Sequence, residues 1–275
     1  MISRRTMLAG SALLLPSFAH AADASIAALE KQSGARIGVA ALDTGSGKRI
    51  AWRANERFVM CSTFKLSLAA ATLTRADRGA EHLDEMIHYD KSVSLGVSPA
   101  TLRNVAQGMT VGALCEAAVI YSDNGAANLL LERLGGPAAM TRFWRSIGDT
   151  MTRLDNNEPK LNVPDGTRNT TTPAAMLGNL KTLLLGEALS AASRARLLGW
   201  MQASTTGAGR LHAGLPPAWQ WGDKTGTSDA RYGLVNDIGI ATIPGRSPIL
   251  MVAYTERSDE KTVAAIGNIL AGAFA

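Results

Sequence analysis

Apolar residues along this chain of 275 residues follow two different periodicities. Near the beginning, apolar runs at residues 36–42 and 49–52 flank a polar stretch that contains glycine, which predicts a β-hairpin. Strand-like runs return after Trp219, at residues 233–243 and 249–255. The pattern therefore predicts strands at both ends of the chain, which can complete one antiparallel sheet.

Between about residues 62 and 201 the apolar positions instead recur at helical spacing. Thr172 predicts one helix start, because Pro173 follows it where a missing N–H costs nothing, and Ser190 predicts another. Ser25 likewise predicts the cap of a helix before the first strand. Helices are predicted at residues 26–32, 62–77, 111–121, 124–134 and 263–274. Two more are predicted, one that begins at residue 173 and one that runs from the Ser190 cap to about residue 202.

This order of elements is typical of an α+β fold, in which an antiparallel sheet with flanking terminal helices holds an inserted all-helical domain. The helical domain is predicted at residues 61–201, and residues 22–60 and 202–275 are predicted to form the α/β domain. A hydrophobic content of 46% is ample for one large core or two small ones. Only 5% of the residues are aromatic, so the core must be mainly aliphatic.

The first 21 residues form a separate segment. Arg4 and Arg5 precede an apolar run at residues 7–15, and residues 19–21 place alanine at the two positions that an export peptidase reads. The run is too short to anchor the chain in a membrane, so a cleaved signal peptide is predicted. Its arginine pair resembles a twin-arginine signal, with an ordinary secretory signal as the alternative. The mature protein is expected to be periplasmic or secreted, without a membrane anchor.

Charge and histidine spacing exclude several partners. The formal net charge is +5, and removal of residues 1–21 would leave +3. The basic residues are scattered and form no stripe, so nucleic-acid binding is not predicted. His82, His88 and His212 lack metal-ligand spacing and are expected on the surface. Neither a metal nor another cofactor is predicted.

Ser62 and Lys65 are the first candidates for chemistry. At positions i and i+3 of a helix, their side chains emerge on the same face. A serine nucleophile needs a neighbouring base, and a lysine can serve when burial lowers its pKa. The alternative for an isolated Ser-x-x-Lys is a helix cap followed by a solvated lysine.

Three companion motifs follow along the chain and add hydroxyls, amides, a carboxylate and a second lysine. They are Ser122-Asp123-Asn124, Glu158-Pro159-Lys160-Leu161-Asn162 and Lys224-Thr225-Gly226. In this order and together with Ser62 and Lys65, they resemble the class A serine β-lactamase family. The resemblance covers essentially the whole chain after the first twenty or so residues.

The resemblance implies hydrolysis of the β-lactam amide of penicillins and cephalosporins, and hence antibiotic resistance, by a monomer with its active site between the two domains. Ser62 is the implied nucleophile, and its N–H and that of Thr227 form the implied oxyanion hole. Glu158 would activate the water that cleaves the acyl-serine, with Asn162 fixing that water. The base in the acylation step, Lys65 or Glu158, stays open.

Substrate contacts are implied in the same way. Ser122, helped by Lys224, would pass a proton to the departing nitrogen, and Asn124 would hold the side-chain amide of the substrate. Lys224 and Thr225 would face the substrate carboxylate, joined by Arg210. The alternative for Arg210 is an ordinary surface arginine. The alternative for Asp123 is a purely structural role as the cap of a turn.

Two rival functions share part of this pattern. A penicillin-binding D,D-peptidase also carries Ser-x-x-Lys, Ser-x-Asn and Lys-Thr-Gly, but it lacks the glutamate loop and usually has a membrane anchor. A β-lactam sensor domain binds covalently without turnover and needs a membrane segment or fused partner. Glu158 and Asn162 favour the hydrolase.

The chain departs from the family pattern in the loop that carries Glu158. An arginine–aspartate pair often closes this loop, but Asn156 and Asn169 stand at those positions. An uncharged pair should be a weaker latch, so we expect a more mobile or reshaped loop that admits bulky oxyimino-cephalosporins. Val97 replaces the usual aromatic residue at the mouth of the site and should leave it wider.

Cys61 and Cys115 are the only cysteines. In the family, the partner of a cysteine at the first position lies where this chain has Ser228. The partner of a cysteine at the second position lies where this chain has Ala69. The resemblance therefore implies two buried free thiols, although spacing alone leaves the pairing open.

Overall fold

The computed structural model describes residues 18–93 and 95–275. Most of the predicted signal peptide, including its arginine pair, lies outside the described residues. The first described helix begins earlier than Ser25, which was predicted to cap it. Ser25 lies inside the helix, and its hydroxyl donates to the carbonyl of Ala21 at 2.9 Å. This cap prediction is therefore wrong, because a serine hydroxyl can also bond back to the carbonyl one turn earlier.

Strands and helices occupy most of the predicted regions. The helices are α1 Phe18–Ser33, α2 Phe64–Asp77, α3 Pro99–Arg103, α4 Val111–Ile120, α5 Asn124–Leu134, α6 Gly136–Ser146, α7 Pro173–Leu184, α8 Ala191–Gln202 and α9 Glu260–Phe274. The strands are β1 Arg36–Asp43, β2 Arg49–Trp52, β3 Phe58–Val59, β4 Met86–Ile87, β5 Met109–Thr110, β6 Thr170–Thr171, β7 Gln220–Thr227, β8 Val235–Thr242 and β9 Ile249–Glu256.

The main sheet has five strands in the order β2-β1-β9-β8-β7, and every neighbouring pair is antiparallel. The predicted hairpin is its β1–β2 edge. The C-terminal strand β9 lies between β1 and β8, so both ends of the chain complete one sheet. This confirms the predicted α+β class with terminal helices and an inserted helical part.

Both faces of the sheet are covered, which explains why its central strands are apolar at nearly every position. On β1, Val39 and Ala41 pack with α1 and α9, whereas Ala40 and Leu42 face the inserted helices. Successive strand residues point to opposite faces, so only a strand buried on both sides requires this pattern.

Helix α2 is the centre of the inserted helical part. Every residue from Phe64 to Thr74 is buried, and α2 contacts α4, α5 and α8. Its alanines, including Ala69 and Ala70, let neighbouring helices approach closely. The N-terminal end of α2 therefore lies deep inside the protein, at the junction with the sheet.

The helix starts predicted from Thr172 and Ser190 are confirmed. Each hydroxyl accepts a hydrogen bond from the backbone N–H three residues later, at 3.1 and 3.2 Å. The start predicted at Ser62 is wrong by two residues, because a 3-10 turn at Cys61–Thr63 precedes α2. Helices α3 and α6 and the short strand pairs β3–β6 and β4–β5 were not predicted.

Among the helices at residues 18–93 and 95–275, none combines the length and the apolar character needed to cross a membrane.

Candidate active site

The 3-10 turn before α2 presents Ser62 at the bottom of a cleft. Cys61 has a φ of 48°, in the left-handed region, which turns the chain sharply out of the buried segment that follows β3. The hydroxyl of Thr63 fixes the turn by bonding to the carbonyl of Met60 at 2.9 Å and to Tyr254 of β9 at 2.9 Å. The position of Ser62 is therefore set by the sheet as well as by the helix.

Ser62, Lys65 and Glu158 form a hydrogen-bonded cluster. Lys65 Nζ donates to Ser62 Oγ at 2.9 Å, and Ser62 Oγ donates to Glu158 Oε1 at 3.1 Å. Lys65 Nζ and Glu158 Oε1 are 3.0 Å apart, and both side chains are fully buried. Two groups able to accept the serine proton thus lie within hydrogen-bond distance of its oxygen.

Lys65 is surrounded by oxygen atoms. Besides Ser62 and Glu158, it donates to the carbonyl of Ser122 at 2.7 Å and to Asn124 Oδ1 at 2.5 Å. Burial is the largest effect and lowers the pKa of Lys65, against the opposing attraction of Glu158. The solvated-lysine alternative is therefore excluded.

The second motif sits in the tight turn between α4 and α5. Ser122 adopts a φ of 56°, and its hydroxyl accepts a hydrogen bond from Lys224 at 3.0 Å. Asp123 is fully buried and bonds to the N–H groups of Ala126 at 2.9 Å and Thr101 at 3.0 Å. Asp123 is thus a cap that joins α5 to α3, and it holds the residues on either side of it in place.

The edge strand β7 closes the opposite side of the cleft. Lys224 is fully buried and also donates to the carbonyl of Thr225 at 2.9 Å. Burial, followed by the charge of Lys65, lowers the pKa of Lys224 to about 7. A Cβ on Gly226 would lie 2.6 Å from the carbonyl oxygen of Met60, so only glycine lets β7 approach the turn that carries Ser62.

Arg210 is buried, with 5% of its surface exposed, so the surface-arginine alternative is wrong. Its guanidinium donates to the carbonyls of Gly226 at 2.9 Å and Asn236 at 2.7 Å, and to Thr227 Oγ1 at 2.7 Å. Its Nε also contacts Glu260 Oε1 at 3.2 Å. These bonds fix a positive charge directly behind the end of β7.

Glu158 lies on a loop that is held by side-chain contacts on both sides. Asn162 Nδ2 donates to Glu158 Oε2 at 2.6 Å. Asn128 of α5 accepts from the Glu158 N–H and donates to the Glu158 carbonyl, both at 3.0 Å. Sequence reasoning missed Asn128, because a single asparagine inside a predicted helix carries no motif.

The predicted asparagine latch of this loop is present but has more bonds than expected. Asn169 Nδ2 donates to Asn156 Oδ1 at 3.1 Å. In addition, Asn169 Oδ1 accepts from the N–H groups of Asp155 at 2.9 Å and Asn156 at 3.0 Å. Asn169 has a φ of 55° and is buried. The effect of this latch on loop mobility stays a prediction.

A cleft of about 740 Å³ brings these elements together. Several site residues line it, whereas Lys65, Glu158, Lys224 and Gly226 are buried and absent from its lining. Val97 lines this cleft and is 62% exposed, and the wider opening stays a prediction. The predicted site residues in its lining are Ser62, Ser122, Asn124, Asn162, Arg210, Thr225 and Thr227.

Comparison with known proteins assigns the chain to a family. The model of the β-lactamase enzyme family matches residues 21–274. An ancestral class A β-lactamase of known structure is 53% identical, with a TM-score of 0.89 over 92% of this chain and 100% of that one. The chain belongs to the class A β-lactamase family. Its α+β fold is the fold of that relative.

Other β-lactamases are similar to the chain at comparable identity. A β-lactamase from Streptomyces albus G is 45% identical over 94% of this chain and 91% of the relative. A carbapenem-hydrolyzing β-lactamase from Klebsiella oxytoca is 46% identical over 88% and 85%. A β-lactamase structure from Desulfarculus baarsii is 44% identical, with a TM-score of 0.89 over 92% and 97%.

Both cysteines of this β-lactamase family member are buried and free, as predicted. Burial raises the pKa of both thiols, that of Cys115 to about 12. His82, His88 and His212 are exposed, as predicted. Among the described residues, no group of three or more histidine, cysteine or acidic side chains could hold a metal ion.

Proposed function

We propose that this chain hydrolyses the lactam amide of penicillins and cephalosporins through an acyl-enzyme on Ser62, and so confers antibiotic resistance. The observation that carries the proposal is the contact of Glu158 Oε1 with Ser62 Oγ at 3.1 Å. A carboxylate in this position can activate a water against the acyl-serine bond, which a penicillin-binding protein lacking the glutamate loop cannot do.

In acylation, Ser62 Oγ attacks the lactam carbonyl and gives its proton either to the neutral amine of Lys65 or to the carboxylate of Glu158. Both lie within 3.1 Å of Ser62 Oγ, so the geometry supports either base. The developing oxyanion would be stabilised by the N–H groups of Ser62 and Thr227, a contribution of roughly 3 kcal/mol for each donor. Ser122 would pass a proton to the departing nitrogen, supported by the Lys224 contact at 3.0 Å.

In deacylation, Glu158 takes a proton from water, which then attacks the ester carbonyl and releases Ser62. Asn162 supports this step, because its Nδ2 already bonds Glu158 at 2.6 Å. Its Oδ1 is buried without a hydrogen-bond partner among the described residues, and an amide oxygen there can accept from a water.

Substrate recognition relies on cations and an amide. Arg210 and Lys224, with the Thr225 hydroxyl, would bind the carboxylate that penicillins and cephalosporins carry. Asn124 is held by Lys65 and would bond the side-chain amide of the substrate through its remaining amide group. Gly226 supports this arrangement indirectly, because the absence of a Cβ lets β7 approach the turn that carries Ser62.

The cellular setting belongs to the same proposal. Residues 1–21 would direct export, preferably by the twin-arginine route, and the mature enzyme would act in the periplasm or outside the cell as a monomer. The catalytic residues would lie between an α/β domain of residues 22–60 with 202–275 and a helical domain of residues 61–201. Mass measurement of the exported form tests the cleavage after Ala21.

The deciding experiment is time-resolved mass spectrometry of the mature protein mixed with benzylpenicillin. Wild type should return rapidly to its free mass, whereas Glu158→Ala should retain one drug adduct on Ser62. Glu116→Ala, which removes an exposed carboxylate, should behave as wild type. A lasting adduct on wild type would instead indicate a penicillin-binding protein or a sensor.

Substrate range follows from the Glu158 loop and the mouth of the cleft. We propose that the uncharged latch and Val97 admit oxyimino-cephalosporins. Comparison of kcat/KM for an oxyimino-cephalosporin and for benzylpenicillin tests this idea. Efficient penicillin hydrolysis without oxyimino-cephalosporin hydrolysis would contradict it and leave the basic activity intact.

A further inference from the structure

Two carboxyl groups lie buried behind the cations of the cleft, and the proposed reaction does not use them. Asp223 on β7 is 4% exposed, and Asp237 on β8 is fully buried. In the sheet register Asp223 faces Gly239, and Asp237 faces Thr225. The two aspartates therefore point to the same face of the sheet as diagonal neighbours. The charge of Asp223 is among the effects that act on Asp237.

Each carboxyl has one oxygen with a donor and one without. Asp223 Oδ2 accepts from the indole of Trp221 at 3.1 Å, and Asp237 Oδ2 accepts from the Leu211 N–H at 3.1 Å. Neither Oδ1 atom has a hydrogen-bond partner among the described residues. Two ionised carboxylates with bare oxygens in one buried place would be strongly unfavourable.

The surroundings leave little room for a water molecule that could donate a hydrogen bond to either Oδ1 atom. A Cβ on Gly207 would lie 1.7 Å from Asp223 Oδ2, so the Gly207 backbone packs directly on this carboxyl. Gly239 has no side chain, and a Cβ there would lie 2.6 Å from the Trp221 ring. The glycines thus allow the backbone and the indole to enclose Asp223.

We propose that Asp223 and Asp237 hold a single proton between their Oδ1 atoms, so that the pair carries one negative charge and acts as a positioning element for Lys224 and Arg210. A shared proton gives both bare oxygens a hydrogen-bond partner. It also leaves one negative charge to balance Lys224 and Arg210, the cations that would bind the substrate carboxylate. The positioning role of the pair therefore rests on the proposed function.

The charged groups around the pair agree with this count. Burial, followed by the charge of Asp223, raises the pKa of Asp237 well above its ordinary value, against Arg210, the Leu211 N–H and Lys224. Burial also raises the pKa of Asp223, against Ser204, Lys224, Trp221 and Arg210. Asp223 in turn raises the pKa of Lys224. Farther out, Glu260 contacts Arg210. Lys65 lowers and Glu158 raises the pKa of Lys224, and His212 is exposed.

Infrared spectroscopy counts the proton directly and needs no turnover. At neutral pH wild type should show the carbonyl band of one protonated, buried carboxyl. The band should vanish in Asp223→Asn and in Asp237→Asn, because an asparagine supplies the missing donor to the remaining carboxylate. It should persist in Asp84→Asn, which changes an exposed side chain. A wild type without the band, or a band that survives in either single variant, would overturn the shared proton.

The pH dependence of KM for benzylpenicillin tests the positioning role. Either single variant keeps one charge, so the rise of KM at alkaline pH should stay where it is in wild type. The variant that combines Asp223→Asn with Asp237→Asn loses that charge. Its rise of KM should therefore begin about one pH unit lower, while kcat changes little. An equal shift at each substitution would mean two charges in wild type, and no shift in any variant would remove the link to Lys224.

These outcomes are distinct from a failure of the proposed function. A wild type that does not turn over benzylpenicillin would refute the hydrolase, whereas the infrared band would still test the proton. Asparagine has the shape of aspartate, so the single variants should fold, and thermal unfolding checks this. If the double variant does not fold, the two single variants still decide the proton count.

Discussion

At the scale of single residues, the site depends on burial of charges that a sequence cannot display. The motifs named Ser62, Lys65 and Glu158, and the structure brings these three side chains into contact, while their roles stay a prediction. They gave no sign that Lys224 is fully buried. That burial follows from the close approach of β7 to the turn of Met60, which Gly226 permits.

The burial of Lys224 predicts a pH dependence at neutrality. Its pKa of about 7 means that the positive charge is lost as the pH rises through this value. The KM for a lactam that carries a carboxylate should therefore rise above pH 7. Lys224→Arg should keep the charge and remove this rise, whereas the exposed Lys181→Arg should not. An unchanged pH profile in Lys224→Arg would contradict the assignment.

The same pKa has a consequence for stability. Unfolded Lys224 regains its ordinary pKa of 10.5, so between pH 7 and 10.5 the unfolded chain binds the additional proton. Because stability rises with pH wherever the unfolded state binds more protons, this group opposes folding less and less towards the alkaline end. Below pH 7 both states hold the proton, and the cost of burying the charge is felt in full.

At the scale of elements, loops are held in place by side chains from neighbouring helices and strands. Asn128 of α5 bonds the N–H and the carbonyl of Glu158, and Asp123 caps α5 itself. The sequence shows the motif of the Glu158 loop but not the hydrogen bonds by which Asn128 holds this loop, which we call the Asn128 clamp. Such contacts join residues that are distant along the chain, and asparagine is common enough to carry no signal alone.

Removal of the Asn128 clamp should slow deacylation more than acylation. Asn128→Ala leaves two main-chain groups of Glu158 without partners, so the carboxylate shifts relative to Ser62. We expect a loss of about 10- to 100-fold in the deacylation rate, visible as an accumulating benzylpenicillin adduct. Glu132→Ala, on an exposed position of α5, is the matched control. Equal slowing of both steps would argue for general disorder of the site.

An ion-pair network fastens α1 to the sheet. Arg53 binds Glu30 of α1 at 2.8 Å, and Arg36 of β1 binds Glu256 of β9 at 2.6 Å. Glu56 joins the two arginines at 2.9 Å each. The hydrogen bond of Arg53 is the main reason that the pKa of Glu30 falls to about 2. The network therefore contributes stability that depends on pH.

Glu30→Gln should reveal this contribution. The ordinary pKa of 4.5 is lowered to about 2 in the folded state, so the stability is present above pH 4.5 and is lost as the pH falls towards 2. At neutral pH the variant should lose about 1 kcal/mol of unfolding free energy, since the partly exposed Arg53 is screened by solvent. The difference from wild type should disappear in acid. The exposed Glu187→Gln should show no such loss in urea unfolding.

At the scale of the whole molecule, the helical and sheet parts share one interface and one site. Phe64 of α2 and Tyr254 of β9 belong to the same hydrophobic cluster, which runs from the inserted helices onto the sheet. The fold class was predictable because strand periodicity at both ends of the chain encloses a long stretch of helical periodicity. Helix α6 and the two short strand pairs were not, because their patterns are weak and their positions depend on neighbours.

The two buried thiols report whether these parts unfold together. Cys61 lies beside Val59 and Leu234 near the sheet, and Cys115 lies inside the helical cluster. Both are fully buried, so a thiol reagent should modify them only when the structure opens. We expect equal labelling rates that match the rate of global unfolding. Faster labelling of one cysteine would show that its part opens on its own.

The place of β9 in the sheet sets an order in time. Strand β1 pairs with β9 and not with β7 or β8, so the N-terminal hairpin waits for the strand that is synthesised last in the sheet. During translation the central position of the sheet stays empty while β1 exposes an apolar edge. Completion of the sheet must therefore follow synthesis of β9, and any export route that carries folded protein would have to wait for it.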